Sequence, residues 1–163
     1  MADRLIELAD RYFAEYLAKI ERATEALDYG QLWWRANERS NSIANLLLHL
    51  RGNLSQWVLA GLLDEAFERR RSAEFAARAG AGRNELVAAL GEVVGRCRAG
   101  IVRLAREDLE RPRRIQGYEI DGYAALFHAL EHMSYHTGQI VMLAKQLAPP
   151  AIEIEFYPQH RGE

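Results

Sequence analysis

Four stretches of this sequence repeat apolar residues every three or four positions, and that spacing constrains the fold more than any other feature. Apolar side chains at such spacing share one face of an α-helix, which must then be buried against another element. The stretches cover residues 3–27, about 42–62, 86–104 and 121–147. The sequence therefore predicts an all-α protein.

The segments between these stretches interrupt the helical pattern. Residues 64–82 are charged and alanine-rich without an apolar stripe, which predicts a long crossover containing one short helix. Residues 111–120 alternate around a Gln-Gly step and predict a small extended excursion, and Pro149 and Pro150 end the fourth helix. Four amphipathic helices with one long connection between the second and the third predict a four-helix bundle with a crossover.

Two details of this bundle can be predicted. Gly91, Gly95 and Gly100 lie in the third helix, where each lowers stability by up to about 1 kcal/mol relative to alanine. Close approach of a neighbouring backbone would offset that cost, so we expect tight packing on the face that carries them. Residues 152–157 alternate apolar and acidic side chains, and we expect this tail to lie extended against the bundle.

Length and composition predict one domain in the cytoplasm. With 163 residues, 49% of them hydrophobic, the chain can build a single core, so we take residues 1–163 as one domain. The single cysteine, Cys97, lies on an apolar stripe, which predicts a buried structural thiol rather than a disulfide or a nucleophile. The N-terminus lacks the pattern of a secretory signal.

The charge and hydropathy of the chain argue against two kinds of partner. Lys and Arg number 21 against 23 Asp and Glu, a formal charge of −2, which does not favour binding to nucleic acid or to an anionic membrane surface. The sequence also lacks a run of about eighteen apolar residues that could cross a bilayer. We therefore expect neither nucleic acid nor membrane as a partner.

A row of histidines carries the clearest chemical signal. His128, His132 and His136 stand four residues apart in the fourth helix, and His49 lies in the second. Two imidazoles on successive helical turns can bind one metal ion. At a rise of about 1.5 Å per residue, His128 and His136 are roughly 12 Å apart, too far to share an ion. His132 is therefore one ligand, and its partner is either His128 or His136.

Polar side chains accompany His49 on the second helix. Asn45 and Asn53 lie four residues from it and Gln56 lies seven, beside an apolar face. Buried amides need hydrogen-bond partners, so this polar stripe either lines a site or faces water on the outside of the bundle. The arginines at positions 69–71 and at 111, 113 and 114 are likewise either solvated loop charges or contacts for an anionic thiol cofactor.

Two segments carry a family resemblance: SIANLLLHLRGNLSQW at residues 42–57 and EHMSYHTGQI at residues 131–140. Together they resemble the DinB/YfiT-like superfamily of metalloenzymes, and in particular its branch of small bacterial proteins. The resemblance covers nearly the whole chain in the order of its elements. It implies a four-helix bundle of up-down-down-up topology with a long connection between helices two and three.

The resemblance also implies a ligand set. In that superfamily, one histidine of the second helix and a His-x-x-x-His pair of the fourth bind a divalent ion, often nickel or zinc. Carried over residue by residue, the ligands are His49, His132 and His136, which leaves His128 outside the set. The remaining candidates for contacts around the ion or in its pocket are Asn53, Gln56, His128 and Tyr135.

Three neutral imidazoles leave at least one coordination position for water or substrate, which favours catalysis over a structural role. Some superfamily members transfer low-molecular-weight thiols such as bacillithiol or mycothiol, and members often form dimers. The resemblance therefore implies a divalent-metal-dependent thiol S-transferase acting on a small-molecule substrate as a homodimer. The alternative is a non-catalytic metal-binding or dimerising bundle protein of the stress response. Neither reading identifies a catalytic residue.

Overall fold

Helices make up most of this protein. Its structure, a computed structural model, describes residues 2–156, and 65% of it is helical. The only sheet within those residues has two short strands. The predicted all-α class is therefore confirmed.

Seven α-helices follow one another along the described chain. They are α1 (Ala2–Thr24), α2 (Tyr29–Trp33), α3 (Ile43–Leu54), α4 (Arg71–Ala76), α5 (Arg83–Ile101), α6 (Arg106–Glu110) and α7 (Gly122–Leu147). A π-helical segment, Ser55–Ala60, continues directly from α3. The strands β1 (Arg113–Ile115) and β2 (Tyr118–Ile120) pair antiparallel.

The four long helices correspond to the four predicted stretches. The side chain of Ser42 accepts a hydrogen bond from the backbone N–H of Asn45 and caps the start of α3. Asp121 does the same for α7 by accepting from the N–H of Ala124 at 2.8 Å. Such caps satisfy backbone donors that have no partner within the helix. The helix starts are therefore encoded locally in the sequence.

The long helices bury their apolar faces against one another. α1 packs on α7 and on α5, and α3 packs on the same two helices. Phe13, Ile20, Leu50 and Leu90 are fully buried at these contacts, and burying such a side chain contributes about 1.5–3 kcal/mol. None of the helices in residues 2–156 is both long and apolar enough to cross a membrane.

The two predicted interruptions have the expected form. The crossover contains one short helix, α4, and residues 111–120 contain the β1–β2 hairpin. Gln116 and Gly117 both have positive φ, 52° and 84°, as a two-residue hairpin turn of type I′ requires. The side chain of Ile115 lies against Gly61, the residue that follows the π-helical segment. The hairpin therefore lies beside the end of that segment.

Close packing is found at only one of the three glycines in α5, and there a side chain approaches rather than the expected backbone. A Cβ at Gly100 would overlap the side chain of Leu63. A Cβ at Gly91 would meet only Leu17, at an ordinary 3.8 Å, and nothing lies within 4 Å of one at Gly95. Nine residues at about 100° each put Gly100 on the side of the helix opposite Gly91, so the three positions do not share a face.

The tail beyond α7 packs on the helices only in part. Its first residues make a turn, in which the N–H of Ile152 donates to the carbonyl of Pro149 at 2.8 Å. Ile154 is buried and Phe156 packs against the core. The predicted tail also included Tyr157, which lies outside the described residues, as does His160.

Candidate metal centre

The imidazoles of His49, His132 and His136 converge between α3 and α7. One ring nitrogen from each lies within 4.8 Å of the corresponding nitrogens of the other two. The Nε2 atoms of His49 and His132 are 3.2 Å apart, and the ring centroids of the three pairs are separated by 4.5–4.9 Å. The three side chains are therefore close enough to hold one metal ion.

Helix packing brings these residues together. His49 has the buried leucines Leu46 and Leu50 on neighbouring positions of α3, so the contact between α3 and α7 carries its ring inward. His132 and His136 stand on successive turns of α7 and share a face. Hydrophobic burial of two helices thus brings together one imidazole from α3 and two from α7, which are distant in sequence.

The spacing fits a divalent ion. Two nitrogens bound at about 2.0–2.1 Å to one tetrahedral ion lie about 3.3 Å apart, close to the 3.2 Å between the Nε2 atoms of His49 and His132. Two unprotonated nitrogens at this distance repel each other unless a cation or a proton lies between them. A metal ion between these two nitrogens removes the repulsion. On the far side of the same ring, Nδ1 of His132 is buried and has no hydrogen-bond partner among the described residues.

Two of the three histidines contact a side-chain oxygen through Nδ1, and this contact orients the ring. Nδ1 of His49 lies 2.9 Å from Oε2 of Glu74. Nδ1 of His136 lies 2.7 Å from Oε1 of Gln139. Metal-binding histidines commonly donate their second N–H to such an oxygen, which leaves the opposite nitrogen unprotonated and available to an ion.

The electrostatic environment keeps the histidines of α7 neutral. Burial lowers the pKa of His132 to about 3, and the nearby His136 and His49 add to the effect. Burial also lowers the pKa of His136, against the hydrogen bond to Gln139, and that of His128. Burial raises the pKa of Glu74, but its hydrogen bonds to His49 and Arg69 outweigh this and leave that pKa lowered. Neutral imidazoles are the form that binds metal.

These shifts predict how stability depends on pH. In the unfolded chain a histidine takes up a proton near pH 6.5, whereas the pKa of folded His132 is about 3. The free energy of unfolding therefore falls as the pH drops from 6.5 towards 3, by less than about 1.4 kcal/mol per pH unit for His132, because solvent screens its partly exposed ring. Denaturant unfolding of chelator-treated protein at pH 7 and pH 5 should show this loss, with a smaller one in His132→Gln. Equal stability at both pH values would contradict it.

A cavity of about 390 Å³ opens beside the three histidines. One wall is aromatic, since the ring of Trp57 lies 4.0 Å from that of His128 and 6.4 Å from that of Tyr118. The lining contains two arginines and no carboxylate. The lining residues are His49, Asn53, Trp57, Arg69, Arg71, Gln116, Tyr118, Ile120, Ala124, His128 and His132.

The four candidates for contacts around the ion lie in different positions. Asn53 and His128 line the cavity, and Asn53 is buried. Gln56 lies behind the lining, where its Oε1 accepts hydrogen bonds from Arg69 at 3.0 Å and from Gln116 at 2.6 Å. Tyr135 is 60% exposed and lies outside the cavity, although its ring contacts the edge of the ring of His136.

Sequence reasoning missed Glu74 and the role of Arg69. The side chain of Arg69 is only 4% exposed and makes two hydrogen bonds to Glu74, at 2.7 and 2.8 Å, so it is not a solvated loop charge. The one local signal was Gly52, a glycine inside α3 three residues after His49. A Cβ there would overlap the carboxylate of Glu74.

Two other side chains complete the description of the site. Gln139 stands three residues after His136, so helical spacing alone would have identified it as a partner. Cys97 is buried and its Sγ contacts the carbonyl of Leu54 at 3.8 Å. Burial raises the pKa of this thiol to about 12, which leaves it without nucleophilic thiolate at neutral pH.

Comparison with known families gives a match but no activity. A family model described as "Protein of unknown function (DUF1572)" matches residues 1–154. The matched segment includes the seven helices and the three converging histidines. No curated protein matches the chain.

Proposed function

The chain belongs to this family of proteins of unknown function, and we propose that it is a divalent-metal-dependent enzyme. One observation carries the proposal: three ring nitrogens lie within 4.8 Å of one another, and two of the three histidines, His49 and His132, line a 390 Å³ cavity. We also propose a single DinB/YfiT-like domain, residues 1–163, in which the four long helices form an up-down-down-up bundle. The contacts of α1 and α3 with both α5 and α7 support the packing of these four helices in one bundle.

In this proposal His49, His132 and His136 are the ligands, and nickel or zinc is the ion. Three protein ligands with a fourth position open to water or substrate are typical of catalytic rather than structural sites. An ion bound there supplies a positive charge that lowers the pKa of a bound water or thiol to near neutrality. The cavity beside His132 gives a small molecule access to that position.

We propose thiol S-transfer as the reaction, with a low-molecular-weight thiol of the bacillithiol or mycothiol kind. The absence of carboxylates from the cavity lining supports an anionic substrate such as a thiolate. Arg71 adds to this, because within residues 2–156 its guanidinium has no carboxylate partner and stacks on Phe75 at 4.9 Å. The thiolate sulfur forms a bond to an electrophilic carbon, and the leaving group departs with its electron pair.

A conjugation assay tests this proposal. Protein loaded with nickel or zinc is mixed with an alkylating electrophile and with bacillithiol, mycothiol or glutathione, and the loss of free thiol is followed. We expect turnover with at least one thiol and a fall of at least about 100-fold on adding chelator, as for loss of an essential electrostatic group. Turnover that is insensitive to the chelator would contradict the proposal, as would no turnover with any thiol.

A second candidate function is a non-catalytic metal-binding or dimerising bundle protein of the stress response. Exposed aromatic residues favour it: Phe127 is 61% and Tyr135 60% exposed, and they border one surface depression with Tyr16. A homodimer through this surface is compatible with either function. Light scattering of the purified protein measures the oligomeric state directly. A cytoplasmic location and the lack of nucleic-acid and membrane partners remain predictions.

A further inference from the structure

The three converging histidines differ in the partner of their Nδ1 atom. His49 contacts a carboxylate through Nδ1, His136 contacts a neutral amide, and Nδ1 of His132 has no partner in the described part of the chain. A carboxylate that accepts an imidazole N–H makes a stronger hydrogen bond than an amide does and raises the basicity of the opposite nitrogen. The site is therefore asymmetric, and the strongest of these hydrogen bonds is the one between His49 and Glu74.

The position of the proton on His49 follows from its neighbours. Nδ1 lies 2.9 Å from Oε2 of Glu74, an acceptor, and 3.1 Å from Nη2 of Arg69, a donor. Nη2 of Arg69 already donates a hydrogen bond to Oε2 of Glu74, at 2.8 Å. The shorter, charge-assisted contact favours a proton on Nδ1. That tautomer directs the lone pair of Nε2 towards His132.

Glu74 is itself held rigidly. Nε and Nη2 of Arg69 grip its two oxygens, and the side chains of Glu74 and Arg69 are 11% and 4% exposed. Nη1 of Arg69 donates to Gln56, which ties the pair to the π-helical segment. Gly52 leaves the space that the carboxylate occupies against α3. The crossover, the π-helical segment and α3 thus together hold the carboxylate of Glu74 beside His49.

We propose that Glu74, held by Arg69, is the positioning residue of the metal centre. It fixes His49 as the Nδ1–H tautomer and thereby sets the affinity of the site. Its contribution exceeds that of Gln139, which orients His136 through a neutral oxygen. This inference rests on the proposed metal-binding function and adds to it a specific partner for one ligand.

Metal affinity provides the first test. Dissociation constants for Co²⁺ and Zn²⁺ are measured by competition with a chromophoric chelator for wild type, Glu74→Ala, Gln139→Ala and Glu68→Ala. Glu68 is an exposed carboxylate of the same crossover, so its variant controls for loss of charge. We expect binding about 10–100-fold weaker in Glu74→Ala, a smaller loss in Gln139→Ala, and a change of less than about threefold in Glu68→Ala. Glu74→Ala within threefold of wild type would overturn the proposal.

The tautomer provides a second test that a merely structural role would not affect. Long-range ¹H–¹⁵N spectra of the metal-free protein distinguish Nδ1–H from Nε2–H imidazole. We expect His49 as Nδ1–H in wild type and in Glu68→Ala. In Glu74→Ala the remaining donor, Arg69, faces Nδ1 and should shift His49 towards Nε2–H, the form that cannot bind the ion through Nε2. An unchanged Nδ1–H form in Glu74→Ala would overturn the proposal.

Two further variants distinguish the loss of the Glu74–His49 contact from a folding defect. Glu74→Gln keeps the shape of the side chain and removes its charge, and Gly52→Ala pushes the carboxylate away without changing it. Both should bind Co²⁺ more weakly than wild type while helical circular dichroism is retained, and wild-type affinity in both would overturn the proposal. A wild-type protein that binds no metal would instead overturn the proposed function together with this inference.

Discussion

Replacing His132 with alanine is expected to weaken metal binding by at least about 100-fold, because it removes one of only three proposed ligands. The nitrogen that is lost lies 3.2 Å from Nε2 of His49, and no other histidine, cysteine or carboxylate in the described residues joins this cluster. His49→Ala and His136→Ala should behave in the same way. The measurement is the metal content of each variant after dialysis against a defined concentration of nickel or zinc.

The matched control for these variants is His128→Ala. His128 stands on the same helix and lines the same cavity, but its ring packs on Trp57 at 4.0 Å and it is not part of the converging cluster. We expect His128→Ala to retain the metal. Loss of metal in this control and retention in His132→Ala would contradict the assignment, because the site would then lie elsewhere in the cavity.

Replacing Phe13 with alanine should lower the free energy of unfolding by about 3–5 kcal/mol, the usual cost of removing a buried phenylalanine. Phe13 is fully buried on α1, the helix that packs on both α5 and α7. That loss is a large part of the 5–15 kcal/mol that typically separates folded from unfolded protein. Urea unfolding followed by circular dichroism measures it.

Phe127 offers a control of the same residue type in α7. It is 61% exposed, so Phe127→Ala should change the free energy of unfolding by less than about 0.5 kcal/mol in the monomer. A loss in Phe127→Ala that grows at higher protein concentration would locate a dimer interface at this surface. Equal losses in the two variants at every concentration would contradict the assigned core.

Much of the fold is predictable because its elements are long and strongly patterned. Apolar spacing identified the four long helices, and the Gln116-Gly117 step marked the hairpin turn. The helices α2 and α6 were missed, since five residues cannot display a helical period. The π-helical segment after α3 has no sequence signature that distinguishes it from an α-helix.

The candidate site was predictable only in part. Helical spacing restricted the α7 ligands to His132 with either His128 or His136, and the family resemblance selected His136. Spacing within one helix cannot reveal a partner from another segment, which explains why Glu74 was missed. Its contact with His49 joins residues 25 positions apart and depends on how the crossover folds back on α3. The two readings of Arg69 were left open for the same reason, and its burial excludes the solvated one.

The central claim is that His49, His132 and His136 hold one divalent ion. Metal analysis by plasma mass spectrometry, on protein purified without a histidine tag, tests it most directly. We expect about one ion per chain in wild type, as for a single three-ligand site, and close to none in His132→Ala. Wild-type protein that contains no stoichiometric ion, even after incubation with nickel or zinc, would contradict it.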